Sequence, residues 1–364
     1  MPKTLVLIPD LNIPGGVSNY YKTLRLDANS HISYFTINRN KPESSFKSVL
    51  RLFNKYSVFI FKLLKYQYEI VIVNPSLDEG KSFHRDLIFI IITRLLKRKS
   101  IVFFHGWFDP FEEKIKKSKF KSFLFRISYA KATKYLVLGE VFKNKLIGLG
   151  VPRETEFFVE TMVADSNHIE ELNLNDKLHT YEKEIIFLFL SRMEKEKGIY
   201  IAIDAFQAFL IRFPQRKTTF IIAGDGIDLP AVKNYVKEKM IPNIKFLGFI
   251  SGENKRQVLL KSHVMIFPSF TEGLPNAILE GMLYGMPVVS RAVGGIPQVI
   301  QQNVNGFLTE SFDSAIFTDF LSKLACDSVL YKNIAEINHN TAIQRFTSEK
   351  VKERIFTILE DCKN

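Results

Sequence analysis

Cysteine is nearly missing from this 364-residue chain: only Cys326 and Cys362 occur, which excludes a disulfide framework and gives no metal-ligand spacing. Two free thiols fit a reducing cytoplasm. Long hydrophobic runs are missing as well. Phe83 to Leu96 is the nearest, and His84, Arg85, Asp86 and Arg94 break it, well short of the roughly 20 apolar residues that cross a bilayer. At the N-terminus, Thr4-Leu5-Val6-Leu7-Ile8 stops at Pro9-Asp10. That run is too short for a signal peptide and reads as a first strand. His84, His168, His179 and His263 show no ligand spacing, so no metal site is expected from them. No short-period repeat or low-complexity tract appears.

What is present describes a folded protein of two domains. Hydrophobic residues make up 46% and charged residues 24%, a globular balance in a chain too long for one ordinary core. Phenylalanine is frequent, with 33 residues, enough that part of this aromatic surface is expected outside the core. The net charge of +12 is uneven: residues 1–153 hold 27 Lys and Arg against 11 Asp and Glu, and the remainder 23 against 27. A basic half joined to a slightly acidic half points to a negatively charged surface as partner for the first domain.

Along the chain, strand-like and helix-like segments alternate. Thr4–Ile8, Ile32–Ile37, Ile70–Asn74, Ile101–His105 and Tyr135–Leu138 read as strands, with helical periodicity in Gly16–Arg25, Phe46–Tyr66 and Leu87–Lys97. The second half repeats the grammar from Glu184–Leu190 to Val288–Ser290. Such alternation predicts parallel sheets with crossover helices, hence two doubly wound α/β domains in tandem. The polar, weakly patterned 166–183 reads as linker, giving domains at 1–165 and 184–345.

The most informative stretch runs from Pro268 to Ser290. A buried strand ends, a turn holding Glu272 and Gly273 follows, and a helix is expected near Leu274 with Pro275 in its first position. The free amides of that turn face the carboxyl edge of the sheet, where phosphate binds well. Glu272 lies before the helix and Glu280 inside it, and carboxylates are strong acceptors for sugar diols.

Glu272 and Glu280, with Gly273 between them and Gly285-Met-Pro-Val after, resemble the signature of the retaining glycosyltransferases of family 4. Arg291-Ala-Val-Gly-Gly-Ile-Pro-Gln298 and Asn305-Gly306 continue that pattern, Ser191-Arg-Met-Glu-Lys-Glu-Lys-Gly198 is similar to the family's diphosphate loop, and Pro14-Gly-Gly-Val17 to its glycine-rich loop. The resemblance is strong over about 184–310 and weak in the first half. It implies a GT-B fold, two Rossmann-like doubly wound domains facing a central cleft, with residues 346–364 forming a helix that crosses back to the N-terminal domain.

The same resemblance implies the roles of individual residues. Arg192 and Lys197 would neutralise the departing diphosphate. Gly15 and Gly16 would allow close backbone approach to the donor. Glu272 would hold sugar hydroxyls, Glu280 the ribose, and His105 would face the sugar from the other domain. Gly224 and Gly248-Phe249-Ile250 would border the nucleotide, and Gly273, Leu274, Pro275 and Asn276 would line the donor site. A UDP- or GDP-sugar is the implied donor, with no metal or other cofactor, since the family is generally metal-independent and no Asp-x-Asp motif occurs. Gln298 stands where relatives often carry Glu, and Leu274-Pro275 where Phe-Gly is more frequent, so sugar specificity is not carried over.

Two segments mix cations with large apolar groups. Phe46–Tyr66 carries Lys47, Arg51, Lys55, Lys62 and Lys65 among Phe53, Phe59, Phe61 and Leu64, and Phe111–Lys134 carries Lys114, Lys116, Lys117, Lys119, Lys121 and Arg126 beside Phe120, Phe123, Leu124 and Phe125. Such helices suit an anionic lipid surface, although an amphipathic helix with solvated lysines on its own domain reads the same way. The expected function is sugar transfer from a nucleotide sugar to a glycan or lipid-linked acceptor in cell-surface polysaccharide synthesis, at the cytoplasmic face of the membrane. An idle nucleotide- or glycan-binding subunit and a GT-B epimerase or phosphorylase remain alternatives. A nucleic-acid partner is disfavoured, because no recognised binding motif accompanies the basic charge.

Overall fold

The computed structural model describes the chain except Pro14, residues 38–44 and 78–81, His168 and residues 363–364; for 45–49 and Glu171 it describes the backbone alone. The Pro14 of the glycine-rich motif and His168 therefore lie outside the described residues. Two compact units are present, one of Met1–Val163 with Ser348–Asn364 and one of Ala164–Thr347.

The first unit contains β1 (Thr4–Ile8), β2 (Ile32–Thr36), β3 (Ile70–Val73), β4 (Ser76–Leu77), β5 (Lys99–Phe103), β6 (Gly106–Trp107), β7 (Lys134–Val137) and β8 (Glu156–Val159). Its main sheet runs β2-β1-β3-β5-β7-β8, all parallel, and β4 pairs with β6 apart from it. β1, β3 and β7 are buried along their whole length, as strands covered by helices on both faces must be. The helices are α1 (Gly16–Leu24), α2 (Ser45–Tyr66), α3 (Ser82–Leu95), α4 (Asp109–Lys117), α5 (Lys119–Ile127) and α6 (Glu140–Gly148). The basic stretch 111–134 holds two short helices instead of one: Ser118 ends α4 and caps α5, its hydroxyl accepting from the Lys121 amide.

The second unit begins with α7 (Leu174–Lys183), followed by β9 (Ile185–Leu190), α8 (Ile199–Arg212), β10 (Thr218–Ala223), α9 (Leu229–Glu238), β11 (Ile244–Gly248), α10 (Gly252–Lys261), β12 (Val264–Phe267), α11 (Asn276–Leu283), β13 (Val288–Arg291), β14 (Gly306–Thr309), α12 (Ser314–Cys326) and α13 (Ser328–Arg345). The sheet order is β11-β10-β9-β12-β13-β14, parallel throughout. Chain order thus reverses between β9 and β12. Phe187, Phe206, Phe209 and Phe220 interlock between α8 and the sheet with no exposure.

Two expectations are corrected here. Residues 174–183, read as linker from their polarity, form α7 and bury Lys177 and Tyr181 in the second unit. Tyr181 stacks on Tyr331 at 3.6 Å, so the polar sequence hides two anchoring residues. α11 starts at Asn276, not near Leu274, and Pro275 is its N-cap in extended conformation (ψ 127°). The last helix, α14 (Ser348–Asp361), belongs to the first unit: it packs on α1, and Arg354 forks onto buried Glu160 at 2.6–3.0 Å.

Candidate active site

In an open parallel sheet the place where strand order reverses leaves a crevice at the carboxyl ends, because the loops on either side leave in opposite directions. In the second unit those are the loops after β9 and β12. They lie against each other: the Phe270 amide donates to Glu196 O at 2.8 Å, and Ser269 Oγ stands 3.3 Å from the same carbonyl. Gly198 makes the approach possible. Its φ is +77°, and a Cβ there would sit 2.0 Å from Pro268 O. On the other flank Gly295 N donates to Gly273 O at 2.6 Å, and a Cβ on Gly294 (φ +57°) would meet Glu272 O at 2.0 Å. Both faces of the Glu272 turn are thus fixed by backbone.

Lys197 Nζ and Glu272 Oε1 meet at 2.6 Å, with only 14% and 12% of their side chains exposed, and Ser269 Oγ donates to the same oxygen at 2.8 Å. Two of the expected site residues are therefore brought together, with Ser269 as a third member that the sequence reading did not single out. Arg192 stands apart. Its side chain is 70% exposed and bound to Glu194 at 2.6 Å, a surface pair worth about 0–1 kcal/mol that an anion can displace.

Beyond the turn, Leu274 is buried, and α11 begins with amides that have no helical acceptor. Asn276 Oδ1 is buried without a hydrogen-bond partner among the described residues, an acceptor that awaits a donor. One turn on, Glu280 is buried and held by Lys255 Nζ at 2.7 Å. Burial pushes its carboxyl above the usual range, and the Lys255 charge and hydrogen bond pull it partly back. Lys255 lies on α10, directly after the Gly248-Phe249-Ile250 loop, so that loop and Glu280 share one neighbourhood. Phe249 is exposed, and Gly248 O accepts from Gly224 N at 2.7 Å. Gly224 faces inward: a Cβ there would lie 1.7 Å from Ser191 O. That close approach of the Ser191 carbonyl, one residue before Arg192, by itself demands glycine at 224.

Gly15, Gly16 and His105 belong to the first unit. Gly15 caps α1, and a Cβ on Gly16 would meet nothing within 4 Å among the described residues, so packing against them does not demand glycine at 16. His105 follows β5, its ring centroid 3.9 Å from that of Phe103 and 5.1 Å from that of Tyr20. Its Nε2 is 3.0 Å from Asn74 Oδ1, which also accepts from Tyr21 Oη at 2.7 Å. An amide oxygen only accepts, so Nε2 carries the proton. Burial pushes the imidazole pKa down to about 3, leaving a neutral ring. Nδ1 is its bare acceptor, with no partner among the described residues.

Sequence reasoning also missed Lys177. Its ammonium is buried and donates to Leu259 O at 3.0 Å and Tyr284 O at 2.6 Å, near the C-terminal ends of α10 and α11. It thereby ties together the two helices that carry Lys255 and Glu280. Burial pulls its pKa down from 10.5 to about 7. Between those values the unfolded chain holds a proton that the folded chain lacks, so stability rises with pH across that window. The urea midpoint of the wild type should climb from about pH 7 to pH 9.5, and Lys177→Met should lose that climb. An unchanged slope in the variant would assign the effect to other groups.

Residues 170–341 match the family described as Glycosyl transferases group 1. The N-acetyl-alpha-D-glucosaminyl L-malate synthase of Bacillus anthracis is 30% identical over 181 residues, 50% of this chain and 46% of that protein. A Campylobacter jejuni alpha-1,4-N-acetyl-D-galactosaminyltransferase, whose name specifies a PP-undecaprenol-linked glycan, is 26% identical over 255 residues, 68% of this chain and 66% of that one. The chain thus spans about half the length of the first relative and just under two thirds of the second. Among solved structures, HepE of Anabaena in complex with UDP and glucose superposes with a TM-score of 0.73, covering 99% of this chain and 100% of that one at 19% identity. The two doubly wound units are those of the GT-B fold.

Proposed function

We propose that this chain, whose residues 170–341 match the family described as Glycosyl transferases group 1, moves a sugar from a nucleoside diphosphate sugar to a glycan or lipid-linked acceptor, with retention of configuration. The observation that carries this reading is the Lys197–Glu272–Ser269 group at the strand-order reversal, one turn from an open helix N-terminus. A sugar diphosphate suits that edge: its phosphates take the α11 amides and displace Glu194 from Arg192, while hydroxyls take Glu272 and the orphan Asn276 Oδ1. As the bond to the diphosphate breaks, negative charge grows beside Lys197, which is already fixed, and Arg192, which the phosphates have taken from Glu194, so no metal is required for it. The acceptor attacks the anomeric carbon on the face the diphosphate leaves, and a departing phosphate oxygen takes its proton. The resemblance to the retaining glycosyltransferases of family 4, not any side chain seen here, supports retention, and no side chain is assigned as a covalent nucleophile. Calorimetry with UDP-, GDP-, ADP- and TDP-sugars in EDTA tests the donor site. Saturable binding of one base class, weakened in Arg192→Ala, is expected, and no binding of any would overturn the assignment. Product anomeric configuration, read by NMR once an acceptor is found, tests retention.

The same proposal places the protein at the inner face of the cell membrane, building a capsule, lipopolysaccharide or related polymer. Among the described residues no helix is long and apolar enough to cross a membrane. α2 buries Phe59 and Leu63, yet turns out Leu50 (53% exposed), Phe53 (68%), Phe61 (56%) and Leu64 (56%). Their spacing of three, eight and three residues keeps them on one face of a 3.6-residue helix. α5 adds Phe120 and Phe123, both more than half exposed, among Lys119 and Lys121. Aromatics that insert beside cations that attract anionic headgroups favour a lipid surface over plain solvent. Vesicles containing phosphatidylglycerol should sediment the protein, and pure phosphatidylcholine should not. Phe53→Ser with Phe61→Ser should weaken binding by about tenfold or more, since each buried ring contributes roughly 1.5–3 kcal/mol at most. Equal binding to both vesicles, or an unaffected double variant, would remove the membrane from the proposal.

A further inference from the structure

Glu280 is the fifth residue of α11, buried where an ionised carboxylate is costly unless a charge and a hydrogen bond offset it. Lys255 supplies both, and it does so through one oxygen: Nζ reaches Oε1 at 2.7 Å, and Oε2 makes no hydrogen bond among the described residues. Asp165 stands near enough to act electrostatically on both groups. The cluster therefore holds two carboxylates and one ammonium. Without the ammonium, the two like charges would drive a proton onto the buried one.

We propose that Lys255 is a positioning residue for donor binding: its ammonium fixes Oε1 of Glu280 and leaves Oε2 to accept the ribose hydroxyls of the nucleotide. This rests on the donor-site reading above. Lys255 does not touch the reacting atoms and acts only through Glu280. A protonated Glu280 loses acceptor strength, so nucleotide affinity is full above its pKa and falls as pH drops through it. Burial raises that pKa and Lys255 holds it down. Removing Lys255 therefore moves the acid limb of the binding curve upward.

The experiment titrates UDP, GDP and ADP, with inorganic pyrophosphate as a probe that lacks ribose, against wild type, Lys255→Met, Lys255→Arg and Glu280→Gln. For the nucleotide that binds wild type, the acid limb should lie at higher pH in Lys255→Met, with affinity falling about tenfold per pH unit along it and recovering towards wild type at alkaline pH, because each pH unit below the carboxyl pKa cuts the ionised fraction about tenfold. Lys255→Arg should restore the wild-type profile, Glu280→Gln should flatten it, and pyrophosphate should bind every variant as it binds wild type. A uniform loss across pH, a parallel loss of pyrophosphate, or an unmoved acid limb would overturn the positioning role while leaving the donor site standing. Failure of all three nucleotides on wild-type protein would instead overturn the donor-site reading, and this inference with it.

Discussion

Lys197→Met should lower glycosyl transfer by about a hundred- to a thousandfold, the usual cost of removing a fixed electrostatic group from a developing charge. The side chain is nearly buried and tied to Glu272 at 2.6 Å, so it is held before substrate arrives and needs no reorganisation during the reaction. Its loss also releases Glu272, whose Oε1 then keeps only Ser269. The defect should therefore appear in kcat as well as KM. Glu272→Gln should cost a similar factor, and the double variant much less than the product of the two, because both act in one contact. Arg192→Ala, removing an exposed group, should mainly raise KM, by roughly tenfold. Steady-state rates with the donor chosen by calorimetry, beside a melting curve for each variant, decide the matter. A loss under threefold in Lys197→Met would remove it from the machinery.

The second large effect concerns a residue with no functional group. Gly198→Ala forces a left-handed backbone on alanine and drives its Cβ to within 2.0 Å of Pro268 O. The obstacle is backbone and cannot rotate away. A destabilisation on the order of 3 kcal/mol is expected, and with it a fall in Tm of roughly 6–12 °C for a unit of this size. Relief of the clash parts the β9 and β12 loops and separates Lys197 from Glu272, so activity at temperatures where the fold persists should drop nearly as far as in Lys197→Met. Full activity with an unchanged melting curve would show that the two loops have room to shift.

These two positions also show what sequence makes legible. The strands were readable because buried parallel strands are continuous apolar runs: Ile70–Val73 and Val264–Phe267 can hardly be anything else. Glu272, Lys197 and Glu280 were readable through the order and spacing of their motifs, and the structure assembles Lys197 with Glu272. Lys177 and Lys255 were not. Each is a lysine in a polar stretch, and in sequence a buried ammonium looks the same as a solvated one. Only packing shows that Lys177 meets two helix-end carbonyls and Lys255 a buried carboxylate. Asn74 was invisible for a related reason. Its role lies in an amide oxygen shared by Tyr21 and His105, 53 and 31 residues away. The close approach of Ser191 O to Gly224 was likewise invisible, since the two residues meet only once β9 and β10 pair.

The first unit is built from both sides of the second: residues 1–163 and then, after 184 intervening residues, Ser348 onward. Where the chain enters and leaves the second unit, Ala164 N and Phe346 O are bonded at 2.9 Å, so the inserted unit starts and finishes at one spot. This fixes an order of events on the ribosome. The second unit, encoded later, has all its parts once residue 347 has emerged. The first, encoded earlier, waits for α14, and until then Glu160 has no Arg354 to receive its buried charge. The basic half of the chain is thus the last to close.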